Sequence, residues 1–277
     1  MYDLKEVEEW NKGIDKAALI DSCRHFVLDM DGTFYISETI YDGSLDFLAK
    51  LKETGRDFCF FTNNSSKNGD MYIEKLAKMN CFIDRKQIMT SGDVTIEYLN
   101  DKYPGKRVYL VGTSALVSDF EAGGINLVQE DAEVVVIGFD TTLTYEKIKK
   151  TCDFIRAGAV YLATHPDFNC PIKDGFLPDV GSFCDMFAAS TGGYRPKVLG
   201  KPNPETVDMV IRRMGWKREE IAFVGDRLYT DVATGVNNGA HGLLVLCGEA
   251  DMNTVRESKV RADAIFTGLP EIGSYLR

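Results

Sequence analysis

Seven short runs of nearly unbroken apolar residues punctuate the chain: Phe26-Val27-Leu28, Phe58-Cys59-Phe60-Phe61, Val108-Tyr109-Leu110-Val111, Val134–Ile137, Tyr161-Leu162-Ala163, Ile221-Ala222-Phe223-Val224 and Leu243-Leu244-Val245-Leu246. Runs so short and so uniformly apolar suit strands buried on both faces. Between them the period changes. Val207, Val210, Ile211 and Met214 recur at i, i+3, i+4, i+7, and Tyr145, Ile148, Cys152 and Ile155 form a similar stripe, which predicts amphipathic helices. Asn203 followed by Pro204 supplies an N-cap and a first helical residue for one of them. Strand-helix alternation predicts an α/β fold with a mainly parallel sheet. No repeat or low-complexity tract interrupts it.

Residues 82–191 form a β/α set of their own and end in a loop-rich stretch, residues 164–182, with Pro166, Pro171, Gly175, Pro178 and Gly181. The expected organisation is a core built from residues 1–81 and 192–277, with residues 82–191 inserted as a second domain.

Composition narrows the function. Acidic residues outnumber basic ones, 42 to 32, for a net charge of −10. Such a surface repels nucleic acid and anionic membrane, so neither is expected as a partner. An acidic protein that binds an anion needs a local cation to do so. The seven cysteines are odd in number and widely spaced, without a C-x-x-C, which points to reduced thiols in the cytoplasm rather than a disulfide framework. Residues 1–16 are polar and acidic, so no signal peptide is expected. No apolar run approaches the ~18 residues of a membrane span.

Four segments carry candidate chemistry. In Phe26-Val27-Leu28-Asp29-Met30-Asp31-Gly32-Thr33 an apolar strand ends in two carboxylates, where ligands of open α/β sheets bind. Gly32 lets the chain leave strand geometry. One carboxylate can attack while its neighbour handles protons. A calcium loop or a plain turn would also use this composition, but a calcium loop continues with alternating acidic ligands, and Phe34, Tyr35 and Ile36 come next here. Thr62-Asn63-Asn64-Ser65-Ser66 ends a second strand with a hydroxyl and free N–H groups able to hold phosphate oxygens, or is simply a turn and cap. In Gly200-Lys201-Pro202-Asn203-Pro204, Lys201 is either a solvated surface lysine or the local cation. In Gly225-Asp226-Arg227-Leu228-Tyr229-Thr230-Asp231, Asp231 can cap a helix. Asp226 at a strand end needs compensation that a metal shared with Asp29 would supply.

Together and in this order, DMDGT, TNNSS, GKPNP and GDRLYTD resemble the four motifs of the haloacid dehalogenase (HAD) superfamily. The pairing of TNNSS with GKPNP resembles the NagD-like, p-nitrophenyl phosphatase subfamily (IIA), and the long gap between second and third motifs resembles its C2 cap arrangement. The resemblance covers residues 26–269. It implies a Rossmann-like core with an inserted α/β C2-type cap and a phosphatase that hydrolyses small phosphomonoesters with Mg²⁺. Asp29 would be nucleophile and metal ligand. Asp31 would be general acid/base and offer its carbonyl to the metal. Thr62 would bind phosphoryl oxygens with Asn63 and Asn64 nearby, Lys201 would steady the phosphoryl group, Asp226 would bind metal and Asp231 would support the metal shell. The segment Ala163-Thr164-His165-Pro166-Asp167-Phe168-Asn169-Cys170-Pro171 resembles a substrate-specificity loop, with His165, Asp167, Asn169 and Cys170 as its candidate contacts.

Two departures stand out. Tyr229 replaces the Asp usual in the fourth motif, with little effect expected. Cys170 stands where vitamin B6 phosphatases of this type carry His, which counts against pyridoxal phosphate as substrate. Candidate substrates are nucleotide monophosphates, sugar phosphates, phosphoglycolate and aryl phosphates, and the cap offers a surface for a homodimer. The alternatives are a phosphomutase and a receiver-like phosphoaspartate module, which would lack the proton-transfer group at Asp31. A nicotinamide-binding dehydrogenase fits less well, because no G-x-G-x-x-G succeeds the first strand.

Overall fold

The computed structural model describes residues 4–172 and 175–277. Residues 1–3 of the acidic N-terminal stretch and residues 173–174 of the loop-rich stretch lie outside them. In chain order the strands are β1 (His25–Leu28), β2 (Tyr35–Ile36), β3 (Thr39–Ile40), β4 (Asp57–Thr62), β5 (Ile88–Thr90), β6 (Val108–Val111), β7 (Val134–Ile137), β8 (Val160–Ala163), β9 (Asn169–Ile172), β10 (Gly175–Pro178), β11 (Lys197–Val198), β12 (Ile221–Gly225), β13 (His241–Val245) and β14 (Ala264–Phe266). Each of the seven apolar runs becomes a strand, and the fold is α/β as expected.

The described residues divide into two units. Unit 1 comprises Met1–Phe61, Ile73–Ile88 and Lys201–Arg277, and unit 2 comprises Thr62–Tyr72 and Met89–Gly200. The pattern of the sequence sets the boundaries instead at residues 81/82 and 191/192. The difference that bears on function is residues 62–72, which begin with the TNNSS segment and pack with unit 2.

The larger sheet has the order β14-β13-β12-β1-β4-β5. β1 lies parallel to both β12 and β4, with Leu28 level with Val224 on one side and Phe60 on the other. That register brings the carboxyl ends of the three strands to one edge. β1, β4 and β12 are buried almost throughout, which is why they read as apolar runs without alternation.

Unit 2 holds a parallel sheet of order β11-β8-β7-β6. Its core joins Tyr109, Val111, Val135, Ile137, Tyr161 and Ala163 to helix residues Cys152, Ile155, Cys184 and Phe187. The helix Tyr145–Arg156 carries the expected stripe, except that Tyr145 is 82 % exposed. The helix Pro204–Met214 forms as expected and ends at Gly215 with φ +71°. Asn203 occupies its N-cap position without a side-chain capping bond.

The stretch read as loop contains structure. β9 and β10 form an antiparallel hairpin with Cys170 opposite Leu177, and the helix Val180–Thr191 begins inside it. Most of the hairpin is solvent-exposed. It therefore has no apolar alternation, and Pro171 and Pro178 sit where an isolated two-stranded ribbon tolerates them. Among the described residues, no helix is long and apolar enough to cross a membrane.

Candidate active site

Four side chains of unit 1 meet at the carboxyl edge of the larger sheet. Asp29 comes directly after β1, and its N–H bonds to Val224 O of β12 (2.9 Å). Asp226 comes directly after β12 at the same level. Beyond Asp29 the chain turns sharply, with Met30 O accepting from the N–H groups of Thr33, Phe34 and Tyr35. Gly32 has φ +86° in this turn, and a methyl group there would stand 2.4 Å from Asp226 Oδ2. On the other side a methyl at Gly248 would stand 2.1 Å from the same oxygen. Asp226 thus lies between two backbone segments that approach it only because neither bears a Cβ. Thr33 Oγ1 donates to its Oδ1 (3.1 Å) and the N–H of Glu249 to its Oδ2 (2.7 Å).

Asp231 arises from a turn of π-helix, Leu228–Val232, a geometry frequent at functional sites. Its Oδ2 accepts from Arg227 N–H (3.1 Å). Gly225 makes room for it, since a Cβ there would stand 2.2 Å from Asp231 Cγ. Lys201 is buried, and its ammonium donates to Asp29 Oδ1 (2.5 Å), Asp231 Oδ1 (2.6 Å) and Phe61 O (3.3 Å). Asp31 stands outside this cluster: it is exposed and accepts from Tyr35 Oη (3.2 Å).

The cluster is short of positive charge. Oxygens of Asp29, Asp226 and Asp231 lie within 4.8 Å of one another, and the Lys201 ammonium bonds to those of Asp29 and Asp231. Burial pushes the Asp29 carboxyl well above the usual range; Lys201 opposes this, while Asp231 and Asp226 reinforce it. Burial, then Asp231, raises Asp226 to about 6. Burial works against the Lys201 charge, but Asp231 and Asp29 outweigh it and hold its pKa above the ordinary value. An all-oxygen donor set with excess negative charge fits a hard divalent cation.

The TNNSS segment and the expected specificity loop are joined within unit 2. Thr62 Oγ1 accepts from Asn64 N–H (3.1 Å), and Asn64 Oδ1 accepts from Ser66 N–H (2.9 Å), an Asx turn. Asn63 Nδ2 donates to Asp167 Oδ2 (3.1 Å), Asn64 Nδ2 to Cys170 Sγ (3.7 Å), and Ser91 Oγ to Asn63 O (2.5 Å). Gly200 lets this region close up, since a Cβ there would meet Thr164 O at 2.5 Å and Asn63 Oδ1 at 2.8 Å. Asn169 is exposed.

His165 departs from its expectation as a substrate contact. It is fully buried, with Nε2 on Asp179 Oδ1 (2.9 Å) and Nδ1 on Thr164 Oγ1 (2.9 Å) and Ser91 Oγ (3.3 Å). Its neighbours Thr164 and Asp179 are buried as well, so the Pro- and Gly-rich composition that suggested an exposed loop covers a packed polar interior. Sequence reasoning also passed over Thr33, Ser91, Asp179, Gly248 and Glu249. Only Thr33 belonged to a recognisable motif, and Glu249 acts through its main chain, which leaves no mark in the side-chain pattern.

Comparison with known proteins agrees with the motifs. The family model for haloacid dehalogenase-like hydrolases matches residues 26–126, and a second HAD-like hydrolase model matches residues 198–272. An acid sugar phosphatase of Staphylococcus aureus is 33 % identical over 247 residues, 89 % of this chain and 95 % of the relative. The crystal structure of a 4-nitrophenylphosphatase from Thermotoga maritima matches with a TM-score of 0.90 at 43 % identity, over 94 % of this chain and 99 % of that one. A glycerol phosphate phosphatase from Mycobacterium tuberculosis, solved in complex with calcium, matches with a TM-score of 0.85 at 26 % identity, over 92 % of this chain and 76 % of that one. The chain belongs to the haloacid dehalogenase-like hydrolases, in their NagD-like, p-nitrophenyl phosphatase branch, and is an enzyme of the phosphatase type.

Proposed function

We propose that this phosphatase hydrolyses small phosphomonoesters in two steps through a phosphorylated Asp29, with Mg²⁺ as its cation. The observation that carries the reading is the setting of Asp29. It is the first residue beyond a buried strand, has one oxygen on Lys201, and has Asp226 and Asp231 within 4.8 Å. Lys201 fixes Oδ1 and leaves Oδ2 for in-line attack on phosphorus. The bond from phosphorus to the ester oxygen breaks as the acyl phosphate forms. Asp31 protonates the departing alkoxide, then takes a proton from the water that cleaves the acyl phosphate. Thr62 Oγ1 already accepts from Asn64 N–H, so its own proton is left to donate to a phosphoryl oxygen. The Asn63 amide is held by Asp167, so Asn63 contributes through its main chain, with Asn64 beside it. Asp29, Asp226 and the Asp31 carbonyl would hold Mg²⁺, supported by Asp231. When bound, it neutralises charge on the cluster and on the transferring group.

Unit 2 is read as the C2-type cap, with Asn169 and Cys170 as its candidate substrate contacts and Asp167 holding Asn63. Exposed apolar side chains on it, Phe168, Ile172 and Phe176, favour a second copy of the chain as partner. The net charge of −10 accords with the absence of nucleic-acid and anionic-membrane partners, and the seven free cysteines with a cytoplasmic setting. The test is a phosphate-release screen over nucleotide monophosphates, sugar phosphates, phosphoglycolate and an aryl phosphate, with Mg²⁺ and with EDTA. Free inorganic phosphate from at least one ester, lost in EDTA, is the expected result and separates hydrolase from phosphomutase. Release unaffected by EDTA would remove the cation from the proposal, and no release from any ester would end it.

A further inference from the structure

Unit 2 contains a buried polar chain that none of the chemistry above uses. Ser65, Ser91, Thr164 and His165 are fully buried and Asp179 is 3 % exposed. Donor accounting orients it. Phe139 N–H can only donate, so Ser65 Oγ accepts from it (2.9 Å). At the far end the Asp179 carboxylate accepts from Val180 N–H (2.7 Å) and from His165 Nε2 (2.9 Å). With its proton on Nε2, His165 has a bare Nδ1, which accepts from the Thr164 hydroxyl (2.9 Å). Thr164 Oγ1 in turn accepts from the Ser65 hydroxyl (3.0 Å). Each hydroxyl donates once and accepts once, so the chain runs one way from Phe139 to Asp179. Beside it the Ser91 hydroxyl donates to Asn63 O, with its oxygen 3.3 Å from the same Nδ1. One anchor on the segment after Thr62, at Ser65 Oγ, therefore ends on that ring nitrogen through Thr164, while the Ser91 hydroxyl holds Asn63 O beside it.

We propose that His165 is a positioning residue that fixes, through Thr164 and Ser65, the backbone of residues 62–66. The inference rests on the reading of those residues as the phosphoryl-binding loop. It differs from a substrate contact, because the imidazole is out of reach of solvent, and from mere packing, because it depends on an acceptor at Nδ1. Two substitutions separate the ends of the ring. His165→Gln places its polar atoms near Nε2 and can still serve Asp179, but it leaves Thr164 and Ser65 without a terminal acceptor. His165→Asn places its oxygen near Nδ1 and keeps that acceptor, but it abandons Asp179.

The experiment measures kcat and KM for a small aryl phosphate, competitive inhibition by inorganic phosphate, and Tm, for wild type and both variants. A misplaced loop should raise KM and the phosphate inhibition constant by roughly tenfold in His165→Gln, the usual consequence of an unmatched buried group. His165→Asn should restore both toward wild type even though its Tm falls. A structural role alone would lower Tm in both variants and leave the phosphate constant of the folded protein within about twofold of wild type; that result overturns the proposal. Thr164→Val removes the hydroxyl that links the ring to Ser65, at nearly constant volume and without touching the ring. It carries the same comparison if His165→Gln does not fold, and an unchanged phosphate constant there also overturns the proposal. Failure of the underlying phosphatase reading shows separately, in wild type, as no phosphate release or no inhibition by phosphate.

Discussion

The two polar assemblies of this chain are built on opposite principles. The cluster of unit 1 is ionic, with three carboxylates around one buried ammonium and glycines admitting them to close range. The network of unit 2 is a chain of neutral hydroxyls ending on a His–Asp pair. The first is left with unbalanced charge and waits for a cation. The second is closed, with each donor matched to an acceptor, and asks for nothing further. Chemistry needs the former, because phosphoryl transfer depends on charge neutralisation as well as placement. Holding a loop still needs the latter, because a satisfied buried network has one geometry.

The sharpest way to break the comparison is Asp29→Asn. An amide cannot form the acyl phosphate, so phosphate release should fall on the order of 10⁴-fold or more, with circular dichroism unchanged. Activity within about tenfold of wild type, after deamidation is excluded, would remove Asp29 from the role. Next comes Gly248→Ala, which alters no functional group. Its Cβ would stand 2.1 Å from Asp226 Oδ2 and must displace that carboxylate. A displacement of that kind costs on the order of 100-fold in kcat/KM; a neutral Gly248→Ala would show that Asp226 need not be held there.

The charge imbalance itself is visible as pH dependence. Asp226 titrates near 6 in the folded chain against about 3.9 in an unfolded one. The cation-free protein keeps that proton where the unfolded chain loses it, so its stability should decline as pH rises from about 4 to 6, by up to about 3 kcal/mol. Asp29, raised by burial, adds in the same direction. With Mg²⁺ present the decline should disappear, since binding favours the ionised carboxylates. Melting curves across that window in EDTA and in Mg²⁺ measure the difference, and parallel curves would contradict it.

Smaller effects separate two of the residues of the expected specificity loop. Asp167 holds Asn63, so Asp167→Ala should lower kcat/KM by about tenfold for all esters, a small aryl phosphate included. Asn169 is exposed, and Asn169→Ala should alter preference among esters while sparing the aryl phosphate. A common factor for Asn169→Ala, or selectivity changes for Asp167→Ala, would reverse these assignments. The smallest effect belongs to Tyr229, half exposed, with its hydroxyl on Glu249 Oε1 (3.0 Å). Tyr229→Phe should stay within about twofold in kcat/KM, as expected for a surface change.

The ionic cluster was legible because its parts are loud. Asp29 and Asp226 each come after a run of apolar residues that only a buried strand explains, and parallel pairing of those strands brings the two together. The network of unit 2 was not, because Ser, Thr and His among prolines and glycines read as surface loop. Nothing in the local pattern says that Thr164 and His165 lie at the buried end of β8 and meet Ser91 at the start of a helix. β5 and β14 have three residues each, too short to show a period. The exposed β9–β10 hairpin has no buried face to betray it. What the chain hides is long-range polar pairing; what it displays is local apolar order.

Gly32, Gly225 and Gly248 enlarge the enzyme's mutational target beyond its reactive groups. Every replacement of a glycine introduces a Cβ, and at each of these positions that atom falls within 2.4 Å of Asp226 or Asp231. A saturation library scored for phosphate release would rank the three beside the aspartates, although they carry no side chain. Libraries meant to shift substrate preference gain nothing by sampling them, and a lineage evolving a new specificity would have to leave all three untouched.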